Sequence, residues 1–302
     1  MNVFLDNVNT DSNSGPNSFA KRLIEGLSQL EIDARTEITS EFIPDIQLSF
    51  IMSRIKYAPL IQRLDGIYFN TDQDYESLNK PIKETYENSE AVVFQTDFNR
   101  DLITKYFGNH WNYKVIRNGT NIELINSIER SSHTIFDKFE KVWCCASSWR
   151  PHKRLSENIR YFLEFAPDTH CLIVLGPNPD AVVKHHRIFY GGNIEWRDLI
   201  SIYKRSDYFI HLAWLDHCPN VVVDARACGC KIVCSSSGGT KEISGKDSKL
   251  IYEDDWDFSP INLYKPPKLD FSKTVENKYD IDISIQRASK EYSSLFRSML
   301  RK

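Results

Sequence analysis

Short apolar runs alternate along the chain with polar loops and with stretches where apolar side chains recur at helical spacing. In the first half, residues 3–5, 46–50, 60–64, 91–95 and 113–116 read as strands. A polar loop over 6–17, holding Gly15-Pro16, leads into a helix over about 17–30 with Phe19, Leu23, Leu27 and Leu30 on one face. Thr96 or Asp97 can cap a further helix whose inner face is Phe98, Leu102, Ile103 and Tyr106. The same rhythm restarts with strands over 142–147, 171–175, 208–212 and 231–235, and a helix over 219–228 between the last two. Pro219 opens that helix and Gly229 follows it. A final amphipathic helix carries Ile285, Ala288, Tyr292, Leu295 and Met299. Strand, loop and helix in this order predict parallel α/β units.

Between the two series lies a polar stretch, 126–140, which reads as a linker. The expected organisation is an α/β domain over 1–125, a second over 141–260, and a tail over 261–302 whose proline-bearing start crosses the surface and whose helix returns to the first domain. A length of 302 residues fits two domains. The apolar fraction of 41% and charged fraction of 26% are those of a globular chain rather than a disordered one. With 38 basic against 41 acidic residues and no polybasic run, nucleic acid is not an expected partner. No apolar run approaches the roughly 20 residues of a membrane span. The start has no basic region and reaches Asp6 early, unlike a secretory signal. Seven cysteines, all between Cys144 and Cys234, are too clustered for a disulfide framework, which points to a reducing, cytoplasmic setting.

The most informative segment runs from Asp216 through His217, Cys218, Pro219, Asn220 and Val221 to Asp224 and Gly229. One acid sits in the loop before a helix and a second lies eight positions on, inside it. A helix start carries about half a positive charge and exposes backbone amides, so it binds phosphate. Asp224, further along, could then reach a ribose hydroxyl. Spacing alone fits equally a loop acid followed by an ordinary amphipathic helix.

The segment resembles the E-x7-E signature of retaining glycosyltransferases of family 4, the glycosyl transferases group 1, with aspartate at both acidic positions. Ala225, Ala227-Cys228-Gly229, the strand Ile232-Val233-Cys234-Ser235 and the loop Gly238-Gly239-Thr240-Lys241-Glu242 continue the match. Upstream, 199–210 resembles the family's helix-then-strand approach. The resemblance implies a GT-B fold, two Rossmann-like domains facing each other across a cleft. It implies a nucleoside-diphosphate sugar as donor, retention of anomeric configuration and no metal ion or other cofactor. Asp216 would contact the sugar and Asp224 the ribose, with His217, Cys218, Pro219, Asn220, Val221, Ser148 and Ile194 around the donor. The family's diphosphate-binding lysine falls on Lys153; its arginine position reads Ser148, leaving Arg150 or Arg154 to serve. These three cations also read as the solvated start of a helix.

In the first half, Gly15 matches a glycine-bearing loop near the donor sugar and acceptor, or is a plain turn. Arg63 and Asp65 follow a strand, so they either face the cleft or form a structural pair. Arg117-Asn118-Gly119-Thr120 matches the Asn-Gly turn with which the family closes its first domain. The acceptor is expected to be a glycan, a lipid-linked or a small molecule, which leaves peripheral membrane contact open; nothing fixes the oligomeric state. Competing patterns are weaker. Residues 239–246 miss the spacing of a phosphate loop, no G-x-G-x-x-G occurs, and Cys228 and Cys230 lack a second pair at zinc spacing. Asp72-Gln73-Asp74 resembles the metal-binding D-x-D of another glycosyltransferase fold, and Asp280-Ile281-Asp282 repeats it. The alternatives to a transferase are a sugar-nucleotide epimerase of the same fold and a non-catalytic sugar-nucleotide-binding subunit.

Overall fold

Strands β1 (Asn2–Asp6), β2 (Asp33–Arg35), β3 (Ile46–Phe50), β4 (Leu60–Leu64), β5 (Ala91–Phe94) and β6 (Tyr113–Val115) form one parallel sheet in the order β2-β1-β3-β4-β5-β6. This is seen in a computed structural model, which describes residues 1–301. Every residue of β3, β4 and β5 is buried, the mark of strands covered on both faces. Helices α1 (Gly15–Ser28), α2 (Tyr75–Asn88) and α3 (Asp97–Phe107) connect them. Thr96 caps α3 by accepting the Asn99 amide. Asp74 caps α2 by accepting Ser77 N–H, which gives one acid of the Asp72-Gln73-Asp74 pattern a structural task. β2 is short and its ends are exposed, and α2 holds Pro81 in its interior; neither has a clean periodic signal.

A second unit comprises Ile122–Asp257 and Ile261–Ile281. It holds α4 (Ile122–Ser127), β7 (Lys141–Ala146), α5 (Leu155–Phe165), β8 (His170–Leu175), β9 (Ile188–Gly192), α6 (Trp196–Tyr203), β10 (Tyr208–His211), α7 (Asn220–Ala227), β11 (Lys231–Ser235), β12 (Lys249–Ile251) and β13 (Thr274–Val275). The sheet order is β13-β12-β11-β10-β7-β8-β9, parallel except for β12 with β13. From β7 the chain builds outward through β8 and β9, then returns to β10 on the other side. That reversal is the switch point of a doubly wound sheet.

Two expectations are corrected here. Residues 126–140 are not a bare linker: Lys204 Nζ donates to the carbonyls of Asn126 and Ile128 at 3.0 and 2.5 Å. Arg205 pairs with Asp137 and lies over the Phe136 ring, 5.3 Å away. These cations on the end of α6 and just beyond it dock the segment to the second unit. The tail over 258–271 is not wholly a surface crossing either. Leu269 and Phe271 are buried, with Phe271 edge-on to Tyr161 at 5.0 Å and under the Arg160 guanidinium at 3.7 Å.

The chain then returns to the first unit as α8 (Ile285–Leu300), whose Ile285, Ala288, Tyr292, Leu295, Phe296 and Met299 join the core around Phe19, Leu23 and Leu27 of α1. Its entry is pinned at the Asn118-Gly119 turn. Thr120 and Ser284 form a parallel bridge, Ile285 N–H donates to Thr120 O at 2.8 Å, and Arg287 donates to the carbonyls of Arg117 and Asn118. A Cβ on Gly119 would lie 2.5 Å from Ser284 O, so the backbones approach more closely than any other residue allows.

Candidate active site

Ligands of open α/β sheets sit outside the carboxyl ends of the strands at the switch point. In the second unit that is where β7 and β10 end side by side. The strand β7 runs into Ser148, Arg150 and a single 3-10 turn over Pro151–Lys153. After β10 comes a tight loop to Asp216 and then α7. Lys153 and Asp216 meet there, Nζ to Oδ2 at 2.6 Å, although 63 residues separate them. The last residue of β10, His211, brings Nε2 to the same oxygen at 2.9 Å. Oδ1 accepts the His217 amide at 3.0 Å.

The loop carrying Asp216 is firmly held. Leu215 has φ +55°, a strained value for a branched side chain, and its N–H donates to Ser237 Oγ at 3.3 Å. The Asp216 carbonyl accepts Gly239 N–H at 2.7 Å. Gly238, at φ +69°, lets this approach happen, since a Cβ there would fall 2.5 Å from Asp216 O. The Gly238-Gly239 pair therefore serves backbone contact with Asp216.

Charge is arranged unevenly. Burial would lift the Asp216 carboxyl, but the Lys153 ammonium and the His211 ring outweigh it and hold it well below the usual carboxylate range. Burial lowers His211 despite the pull of Asp216, so its ring is neutral near pH 7. Because the carboxylate can only accept, Nε2–H is the donor. Burial also brings His217 down to about 4 and His152 down to about 3. Around Asp216 the fixed cations are thus Lys153 and, exposed to solvent, Arg150, whose side chain has no ion-pair partner among the described residues.

Arg154 is not part of a solvated helix start. It is buried at 2% exposure, in the left-handed region at φ 52°, and forks onto both oxygens of Glu253 at 2.8 and 2.7 Å. It also donates to the carbonyls of Leu212 and Pro267. Glu253 in turn accepts Ser235 Oγ, which bonds Ser237 Oγ at 2.8 Å. Arg154 is therefore consumed beneath the Asp216 loop, whereas Arg150 is exposed to solvent.

The remaining expected positions spread around this centre. Ser148 is exposed after β7, and Ile194 is half-buried before α6. Cys218 is buried, Pro219 is the N-cap residue of α7, and Asn220 and Val221 form its first turn, ahead of the first backbone bond from Val222 N to Pro219 O. Asp224 lies on the buried side of α7 at 2% exposure, with the Trp196 indole N–H on Oδ2 at 3.0 Å.

In the first unit Arg63 and Asp65, expected either to face the cleft as catalytic residues or to form a structural pair, form the pair. The Arg63 guanidinium is fully buried between the Phe19 and Phe50 rings, 4.4 and 4.9 Å from their centres. It pairs with Asp65 and donates to Asn118 Oδ1 at 2.8 Å, while Gln95 donates to Asp65 at 2.7 Å. This is a structural knot that ties the end of β4 to the Asn118 turn. Gly15 opens α1 on the surface, and a Cβ there would meet nothing within 4 Å. His211 and Trp196 were not among the expected site residues. The one available signal for His211 was a polar side chain ending an otherwise apolar strand.

Residues 134–257 match the family described as glycosyl transferases group 1. No curated protein matches the sequence. Among solved structures, Anabaena Alr3699/HepE in complex with UDP and glucose superposes with a TM-score of 0.68 at 13% identity, over 99% of this chain and 100% of that one. Sucrose-phosphate synthase of Thermosynechococcus elongatus gives 0.64 at 12% identity, over 84% and 86%. WaaG, a glycosyltransferase involved in lipopolysaccharide biosynthesis, gives 0.61 at 10% identity, over 100% and 92%. The chain has the fold of the GT-B glycosyltransferases, and the part of it that holds Lys153, His211, Asp216 and Asp224 is the part that matches the glycosyl transferases group 1 family.

Proposed function

We propose that the protein is a glycosyltransferase that moves a sugar from a nucleoside-diphosphate donor to an acceptor hydroxyl, with retention and without a metal ion. The observation that carries this is the meeting of Lys153, Asp216 and His211 at the switch point of the sheet, inside the stretch that matches the family. A departing nucleoside diphosphate gathers negative charge, and preplaced cations stabilise it. Lys153 has three donors, of which Asp216 takes one, and Arg150 stands exposed in the same loop. The start of α7 adds the positive end of a helix dipole. Asp216, ionised and fixed, accepts hydroxyls of the donor sugar. The anomeric carbon–oxygen bond to the diphosphate breaks as the acceptor oxygen bonds to that carbon from the same face. The acceptor proton passes to the departing phosphate oxygen, so no protein nucleophile is needed. Asp224 accepts a ribose hydroxyl beside the Trp196 indole, since a carboxylate has acceptor sites for both.

The test is a panel of nucleoside-diphosphate sugars, with binding followed by thermal shift and turnover by nucleotide release, in buffer and in excess EDTA. Stabilisation by at least one donor, release of its nucleotide, and equal rates under chelation are expected. No binding across the panel would overturn the function. Complete loss under EDTA, mirrored by Asp72→Asn/Asp74→Asn, would overturn metal independence.

A further inference from the structure

We infer that His211 is the positioning residue of the site: it holds Asp216 in place and in charge so that Lys153 is free to serve the diphosphate. The inference rests on the donor-site reading given above and adds a residue to it. In that reading Lys153 has two anions to answer: Asp216, at 2.6 Å, and the arriving phosphates. If the ammonium were the only strong partner of Asp216, the carboxylate would follow it, and each donor-binding event would loosen the group meant to hold the sugar. His211 removes the conflict. It sits on a strand rather than a loop, is 2% exposed, and stacks on Phe209 with ring centres 6.3 Å apart, so its ring has little room to turn. Its Nε2–H reaches the same Oδ2 that Lys153 uses, and His217 N–H holds the other oxygen. When Lys153 tilts toward phosphate, two donors from rigid backbone and strand still fix the carboxylate.

Other groups facing this pocket do not supply the same hold. Arg150 is exposed to solvent, and Arg154 is spent on Glu253. A neutral imidazole is also the right donor here. It orients the carboxylate by a hydrogen bond without placing a second full positive charge beside Lys153.

The experiment compares His211→Gln and His211→Phe in the full chain. The glutamine amide places an N–H near the Nε2 position, whereas phenylalanine keeps ring packing and loses the donor. With the donor found in the panel, His211→Phe should lower kcat at least tenfold and leave donor KM within twofold. His211→Gln should stay within about threefold of the wild type, with thermal midpoints of both variants close to it. Equal impairment in Gln and Phe, or wild-type kcat in Phe, would overturn the inference while wild-type turnover leaves the transferase reading intact. A second readout needs no donor. In ¹⁵N-histidine spectra His211 should be neutral with the proton on Nε2, and that signal should move in Asp216→Ala. A proton on Nδ1, or a signal unmoved by Asp216→Ala, would also overturn it.

Discussion

Arg150 and Arg154 stand four positions apart in sequence and do opposite things. Arg154 lies under the Asp216 loop, and its fork onto Glu253 is closed off from water. Removing one partner of a buried pair leaves the other charged and unpaired, at a cost of roughly 3–5 kcal/mol. Arg154→Met should therefore lower the unfolding midpoint strongly, and Arg154→Met/Glu253→Met should recover much of the loss. Arg150→Ala should change stability by no more than about 0.5 kcal/mol yet reduce transfer about tenfold. Thermal unfolding read beside nucleotide release separates the two. If Arg154→Met is as stable as the wild type, the ion pair contributes nothing to the loop.

At the scale of elements, α8 is held at its entry by a backbone-to-backbone contact as well as by its apolar face. Gly119→Ala puts a methyl against Ser284 O and C, at 2.5 and 2.8 Å if nothing moved. Shifting backbone to relieve such overpacking costs roughly 1–3 kcal/mol. The midpoint of the first unit should fall accordingly, while affinity for the donor, which the proposed site assigns to residues of the second unit, should not change. Calorimetry of both properties on the one variant makes the comparison; a weakened donor would show that the turn matters beyond α8.

Over the whole molecule, acid should act through histidines buried in the neutral form. The ordinary histidine value is near 6.5, and in the folded chain His152 is lowered to about 3 and His217 to about 4, chiefly by burial. Between those values and 6.5 the unfolded chain binds more protons than the folded one. Stability therefore falls as pH drops through that window and is fully present above it. Asp216 has the opposite origin: its carboxyl is depressed, so its contribution persists until pH falls below the ordinary carboxylate range. His152→Gln should flatten the loss between pH 6.5 and 4, read as unfolding midpoints at several pH values. An unchanged slope would mean that other groups carry the acid sensitivity.

What the sequence determined by itself was local. Short apolar runs named most strands, because a strand buried on both faces must be apolar throughout. The Asp216–Gly229 segment named its helix, because proline and glycine fix the ends of α7 through their own backbone preferences. The same local reading was blind to α2, whose polar face and Pro81 hide its period, and to β2, too short to show one. Only the tertiary structure decided which of the charged residues meet. Lys153 and Asp216 are 63 positions apart, and Arg154 and Glu253 are 99. Parallel strands need long crossovers, so residues that share a carboxyl edge are far apart in the chain and carry no mutual spacing to read. Burial was likewise undetermined. Arg63 and Asp65 read equally as site or as structure until the Phe19 and Phe50 rings closed over the guanidinium, and His211 meets Asp216 only because the loop folds that residue back onto it.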